Sequence, residues 1–186
     1  MPSPEKFLQD AHQISGQLQE WRRDFHRHPE LAFEERRSAG IIAELLTGWG
    51  YELRTGIAET GMLAKLGDNR RSGGILFRVD MDALPIHEKN ETGYVSIHPD
   101  VMHACGHDGH MAIGLGVADV MRRYADRLGG DFNLIFQPAE EGGGGAARMI
   151  EEGVLRELDV QASLGVHLWN EKPFGWFGIG SGSVMA

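Results

Sequence analysis

The side chains best suited to chemistry fall into four short groups of acids, imidazoles and one thiol. They are Asp80 with Asp82, the segment HACGHDGH (103–110), Glu140 with Glu141, and His167. Thiolate and imidazole groups suit Zn²⁺, and carboxylates extend the range of ions towards Mn²⁺. The sequence therefore predicts divalent-metal chemistry at a site built from several parts of the chain.

The segment HACGHDGH has the densest set of candidate ligands. Cys105 and His107 are two residues apart, so their side chains fall on one face of an extended loop. Asp108 could orient a histidine ligand through a hydrogen bond. Taken alone, each residue has a simpler explanation, because a single cysteine is often a small buried hydrophobe and an isolated aspartate often caps a turn. The four groups together favour a metal site.

The adjacent pair Glu140 and Glu141 fits the same interpretation. Neighbouring side chains point in different directions, so one carboxylate can bind a metal while the other faces bound water as a general base. Two such carboxylates would raise each other's pKa, and a divalent cation removes that repulsion. A solvated acidic loop is the alternative explanation for this pair.

Alternating strands and helices predict an α/β fold. Expected helices cover a segment from Pro4 to Pro29, then 34–46, 111–128 and 145–152, and expected strands cover 51–54, 62–66, 75–79, 132–136, 162–168 and 175–179. This order favours a largely parallel sheet with helices on both faces. The polar groups follow strands, and open parallel sheets bind ligands beyond the carboxyl ends of their strands.

Composition restricts the classes of partner. The chain has 18 Lys and Arg against 27 Asp and Glu, a net charge of −9, which argues against nucleic-acid and anionic-membrane partners. Its single cysteine excludes an internal disulfide framework. The first residues lack the pattern of a secretory signal, and no apolar run reaches the roughly 18 residues of a membrane span. We therefore expect a cytoplasmic protein.

Two other functions compete with metal catalysis. The run GGGGAA (142–147) follows a strand and opens a helix, as in dinucleotide-binding sites. That pattern is weak here, because Glu140 and Glu141 would repel a pyrophosphate. The other possibility is a truncated, inactive chain that binds metal or a partner through an incomplete site.

Five segments together carry a resemblance to a known family. They are HRHPELAFEE (26–35), FRVDMDALPIHE (77–88), MHACGHDGHMA (102–112), FQPAEEGGGGAARMIEEG (136–153) and GVHLWN (165–170). In these motifs the sequence resembles the aminoacylase and hippurate hydrolase family of dinuclear metallo-amidohydrolases, which includes plant indole-3-acetyl-amino-acid hydrolases and bacterial N-acyl-amino-acid deacylases. The resemblance implies a zinc-peptidase-like catalytic domain.

The resemblance also implies a role for each motif residue. The metal ligands would be Cys105, His107, Glu141 and His167. Glu140 would be the general base, and Asp82 would orient a ligand. Asp80, Asp108 and His110 would support ligands without binding metal. The cofactors would be two divalent ions, Zn²⁺ or Mn²⁺ first, with Co²⁺ and Ni²⁺ as further candidates.

Members of the resembled family are longer than this chain. We therefore expect residues 1–186 to form the N-terminal part of a catalytic domain, truncated before a lid or dimerisation domain and before one further histidine ligand. The full-length parent could form a homodimer. The implied reaction is hydrolysis of the amide bond of small N-acyl amino acids, with hippurate-like compounds as first candidates, to a carboxylic acid and a free amino acid.

Overall fold

A mixed five-stranded sheet forms the centre of the computed structural model, which describes residues 2–67 and 73–179. The helices are α1 (Pro4–Gln13), α2 (Ser15–Arg27), α3 (Arg36–Gly48), α4 (His107–Arg122) and α5 (Gly145–Glu151). The strands are β1 (Glu52–Ile57), β2 (Gly61–Leu66), β3 (Gly74–Asp80), β4 (Phe132–Gln137) and β5 (Val160–Gly165). Their order across the sheet is β1-β2-β4-β3-β5. The predicted α/β class is confirmed.

Only half of the sheet is parallel, which corrects the prediction of a largely parallel sheet. Strand β3 pairs in parallel with β4 and β5, whereas β2 pairs antiparallel with β1 and β4. The tight connection between β1 and β2, where Ile57 faces Gly61, makes these strands a hairpin and so fixes their antiparallel sense. The parallel strands are joined by long connections that include helices.

Helices cover both faces of the sheet, as predicted. On one face, Phe132, Leu134 and Phe136 of β4 belong to a core that also contains side chains of α2, α3 and α4. On the other face, Ile135 of β4 packs with Met149 of α5 in a second core. Because its side chains alternate between two apolar layers, β4 is buried at every position.

Three predicted elements differ most from the structure, and the strand expected at 162–168 ends earlier, at Gly165, so that His167 lies beyond it. The first helix is divided at Ile14, whose φ of −100° and ψ of 6° end α1 before α2 begins. Helix α4 begins at His107, so part of the predicted HACGHDGH loop is helical. Residues 175–179, expected to form a strand, lie in none, although they fall within the described part of the chain.

The carboxyl ends of the parallel strands bring the polar segments together. Strands β3, β4 and β5 end side by side at Asp80, Gln137 and Gly165, and the candidate acids and His167 follow those ends. The edge of the sheet predicted to carry the site is therefore formed as expected. In the described residues, no helix is both long and apolar enough to cross a membrane.

Candidate metal centre

His107 lies at the centre of the candidate site. Its Nδ1 donates a hydrogen bond to the backbone carbonyl of Asp82 over 2.8 Å, so in the neutral ring Nε2 carries the lone pair. This Nε2 atom is buried and has no hydrogen-bond partner among the described residues. It lies 3.9 Å from a carboxylate oxygen of Glu140 and 3.9 Å from one of Glu141. A buried lone pair that faces two carboxylates fits a metal ligand.

The possible ligand atoms form sets that share His107. Cys105, His107 and His167 form one set, and His107, Glu140 and Glu141 form another, with the atoms of each set within 4.8 Å of one another. The Sγ atom of Cys105 lies 3.5 Å from Nε2 of His167. An imidazole between two sets of donors suits a centre that holds more than one cation.

The charge around His107 favours a cation. Burial disfavours a charged imidazole, but the hydrogen bond with Asp82 and the negative charges of Asp80, Asp82 and Glu141 raise the pKa of His107 above its ordinary value. The surrounding acids thus stabilise positive charge at this point, which a metal ion would supply.

The thiol of Cys105 is held in its protonated form when no cation is bound. Burial raises its pKa, and a hydrogen bond with Glu141 and the charges of Glu141, Glu140 and Asp80 raise it further, to about 12. A nucleophilic cysteine needs the opposite surroundings, because only the thiolate reacts. The environment of Cys105 therefore fits metal ligation better than covalent catalysis.

Asp80 is almost fully buried and lies behind His107. Its two oxygens accept hydrogen bonds from Nδ1 of His110 and from the guanidinium of Arg78, each over 2.6 Å. Burial opposes ionisation, but the bond from His110 and the charges of His107, His110 and Arg78 lower the pKa of Asp80 to about 2. With both oxygens engaged, Asp80 fits the predicted supporting role.

Asp82 connects the end of β3 to two other parts of the site. Its Oδ2 accepts a hydrogen bond from the backbone amide of Glu141 over 2.9 Å, and its carbonyl accepts the bond from His107. Burial opposes ionisation, but bonds from His107 and from the amides of Glu141 and Glu140 lower the pKa of Asp82. Asp82 thus orients both a candidate ligand and the loop that carries the glutamates.

That loop is compact because of its glycines. Ala139 has a φ of +52°, and a Cβ atom on Gly145 would lie 1.8 Å from the carbonyl oxygen of Pro138. Gly145 is therefore needed for the close approach that lets α5 begin directly after the glutamates. The glycine run that could suggest nucleotide binding serves this turn.

Asp108 is the one predicted residue that bonds away from the cluster. Its Oδ2 lies 2.7 Å from Nδ1 of His26 and 2.9 Å from Nε of Arg22, both on α2. The other ring nitrogen of His26 lies 2.9 Å from Glu88. The sequence analysis did not predict this network, although His26 lies in HRHPELAFEE and Glu88 lies in FRVDMDALPIHE.

Two further buried polar residues, Glu35 and His103, were not among the site residues predicted from the sequence. Glu35, also within HRHPELAFEE, accepts hydrogen bonds from Thr60 and from the amide of Ala139. Both ring nitrogens of His103 are buried without a hydrogen-bond partner among the described residues. Burial is the main reason that the pKa of His103 falls to about 4, so this ring is neutral.

Comparison with known proteins identifies the family. Residues 76–182 match peptidase family M20/M25/M40. The chain belongs to this family. The family resemblance inferred from the motifs is therefore confirmed, and the fold agrees with solved M20 structures. A Bacillus subtilis protein described as a dinuclear metal-binding peptidase of the M20 family superposes with a TM-score of 0.79 at 37% identity, covering 86% of this chain and 45% of that one.

Curated relatives of the M20 family include several amidohydrolases. An N-acyl-L-amino acid amidohydrolase of Geobacillus stearothermophilus is 41% identical over 167 residues, which are 89% of this chain and 45% of the relative. An indole-3-acetyl-aspartic acid hydrolase of Enterobacter agglomerans is 36% identical, covering 94% of this chain and 50% of the relative. The chain spans about half the length of the curated relatives it matches.

Proposed function

We propose that this chain supplies a dinuclear metal centre for hydrolysis of the amide bond of N-acyl amino acids. The observation that carries the proposal is the position of His107. Its Nε2, which has no hydrogen-bond partner in the described part of the chain, faces Glu140 and Glu141, while its ring borders Cys105 and His167. The names of the M20 relatives support amide hydrolysis as the reaction.

The proposed ligands are the thiol, imidazole and carboxylate groups that meet at this point. They are Cys105, His107, Glu141 and His167. Asp82 and Asp80 lie directly behind His107, where their hydrogen bonds can fix the ligand set. Zn²⁺ and Mn²⁺ are the first candidates for the two ions, followed by Co²⁺ and Ni²⁺, because the set mixes soft and hard donors.

Glu140 is the proposed general base. Its side chain is 29% exposed, so water can reach it, yet its carboxylate lies 3.9 Å from Nε2 of His107. Bound divalent ions would lower the pKa of water and polarise the amide carbonyl. Glu140 would accept the proton of the attacking water and donate it to the departing amine. The products would be a carboxylic acid and a free amino acid.

Substrate choice within this class is also part of the proposal. Hippurate-like aromatic N-acyl amino acids are the first compounds to test, since one M20 relative is named for an indole-3-acetyl conjugate. A small-molecule substrate, a cytoplasmic location, a homodimeric parent and the assignment of residues 1–186 to the first part of a catalytic domain all stay predictions.

The test combines metal content with turnover. The protein is loaded with Zn²⁺ or Mn²⁺ and gel-filtered, bound metal is counted by elemental mass spectrometry, and release of glycine from hippurate is followed. We expect two ions per chain and turnover that Glu140→Gln abolishes while keeping the metal. Metal without turnover would favour the inactive metal-binding alternative, and absence of metal would contradict the proposal.

A further inference from the structure

A buried carboxylate lies beneath the loop that carries Glu140 and Glu141. Glu35 is fully buried at the start of α3. One of its oxygens accepts a hydrogen bond from the backbone amide of Ala139 over 2.9 Å, and the other accepts one from the hydroxyl of Thr60 over 2.5 Å. Glu35 thus joins the segment before α3 to the end of the β1–β2 hairpin and to the loop after β4.

The residue that Glu35 holds has an unusual backbone conformation. Ala139 has a φ of +52°, a region that residues with a Cβ atom rarely adopt. Such a conformation persists only where its surroundings hold it in place. The carboxylate of Glu35 is one such restraint, because loss of its hydrogen bond would leave the buried amide of Ala139 unpaired.

The two amides on either side of Glu140 are held in the same way. The amide of Ala139 donates to Glu35, and the amide of Glu141 donates to Oδ2 of Asp82 over 2.9 Å. These carboxylates belong to different elements, one before α3 and one after β3. Together they fix the backbone from which the side chains of Glu140 and Glu141 project.

We propose that Glu35 is a positioning residue for the metal centre, and that it orients Glu140 and Glu141 by holding the amide of Ala139. Glu35 contacts neither of these side chains, so its action passes through the backbone. The inference rests on the proposed function, since it matters for catalysis only if Glu140 and Glu141 serve as base and ligand.

Two variants of Glu35 separate its hydrogen bonding from its size. Glu35→Gln keeps an oxygen that can accept from Ala139 and an amide that can bond to the Thr60 hydroxyl. Glu35→Met keeps a similar volume but removes the acceptor. Asp10→Leu is the matched control, because Asp10 is also a buried carboxylate that accepts a hydrogen bond from a hydroxyl, that of Tyr124, but lies on α1.

The first measurement is amide hydrogen exchange of Ala139 in the metal-free protein. We expect exchange to become about tenfold faster in Glu35→Met, as the loss of one buried hydrogen bond implies. Glu35→Gln and Asp10→Leu should leave the exchange rate of Ala139 close to that of wild type. If Glu35→Met does not fold, Thr60→Val removes only one partner of Glu35 and should accelerate exchange about threefold. Unchanged exchange in the folded variant would overturn the inference.

The second measurement is Co²⁺ binding, followed by its visible absorption spectrum. We expect Glu35→Met to weaken binding about 10- to 100-fold and to alter the spectrum, whereas Asp10→Leu should do neither, even if it lowers the melting temperature. Wild-type affinity in Glu35→Met would overturn the inference and leave the proposed function intact. Failure of the wild-type protein to bind Co²⁺ would overturn the proposed function and the inference with it.

Discussion

The backbone amide of Leu168 donates a hydrogen bond to Nε2 of His110 over 2.9 Å. Nδ1 of the same ring bonds to Asp80, so both nitrogens of His110 are engaged. The imidazole of His110 therefore ties the end of β3 to the segment after β5, where His167 precedes Leu168. His110 therefore contacts the candidate centre through Asp80 and through the backbone of Leu168.

Replacing His110 with alanine should weaken metal binding without removing a ligand. We expect the affinity for Zn²⁺ to fall about 10- to 100-fold, because the variant frees both Asp80 and the backbone beside His167. Isothermal titration calorimetry gives affinity and stoichiometry together. A stoichiometry lower by one ion would show instead that His110 binds metal directly.

Zinc binding should release a proton from Cys105. Burial, and then the hydrogen bond with Glu141 and the nearby carboxylates, raise the pKa of this thiol to about 12, so it is protonated at pH 7 until a cation binds. Calorimetry in buffers of different ionisation enthalpy counts released protons. We expect Cys105→Ser to release about one proton fewer than wild type. Equal counts would exclude Cys105 as a thiolate ligand.

The bond between His26 and Asp108 should make stability depend on pH. The hydrogen bond to Asp108 raises the pKa of His26, burial opposes this, and Glu88 adds to it. Because the pKa of His26 is higher in the folded protein than in the unfolded chain, its protonation stabilises the fold. This stabilisation is complete at a pH below the unfolded pKa of about 6.5, and it disappears as the pH rises through the folded pKa. His26→Gln should therefore cost about 2 kcal/mol near pH 6 and less at pH 9.

Denaturant unfolding of the metal-free protein at both pH values measures this difference. His12→Gln is the control, because His12 lies exposed on α1 and should change stability little at either pH. A cost for His26→Gln that is the same at pH 6 and pH 9 would contradict a charged His26.

Two helical glycines should respond to alanine in opposite directions. A Cβ atom on Gly114 of α4 would lie 2.7 Å from Cγ2 of Val79 and 3.2 Å from the ring of Phe136, so Gly114→Ala should cost about 1–3 kcal/mol. A Cβ atom on Gly40 of α3 would meet nothing within 4 Å, so Gly40→Ala should stabilise the fold by up to about 1 kcal/mol. Thermal unfolding of both variants tests the pair, and destabilisation by both would contradict this packing.

The position of the candidate centre could be predicted from sequence because its residues follow strands. Asp80 is the last residue of β3 and Glu140 comes soon after β4, and parallel neighbours end at one edge of a sheet. The antiparallel direction of β2 relative to β1 and β4 could not be predicted in this way. Their turn places Ala58 and Glu59 at φ values of +49° and +74°, which glycine or asparagine would usually occupy.

Tertiary contacts explain why that turn forms without glycine. The amide of Ala58 donates to the side chain of Glu152, and Glu59 pairs with Arg148 of α5. Residues far along the chain therefore stabilise a local conformation that its own sequence disfavours. The partners of Asp108 were missed for a related reason, since His26 and Arg22 lie more than 80 residues before it and spacing carries no signal of their contact.

The order of strands has a consequence for the growing chain. Strands β2 and β3 are consecutive in sequence, yet they do not pair, because β4 lies between them. Strand β2 must therefore leave the ribosome with one unpaired edge and β3 with two, until α4 and then β4 have been synthesised. Strand β3 keeps one unpaired edge until β5 follows. Unpaired edges promote association with other chains. The interval before residue 137 emerges is thus a period in which the growing chain is exposed to aggregation.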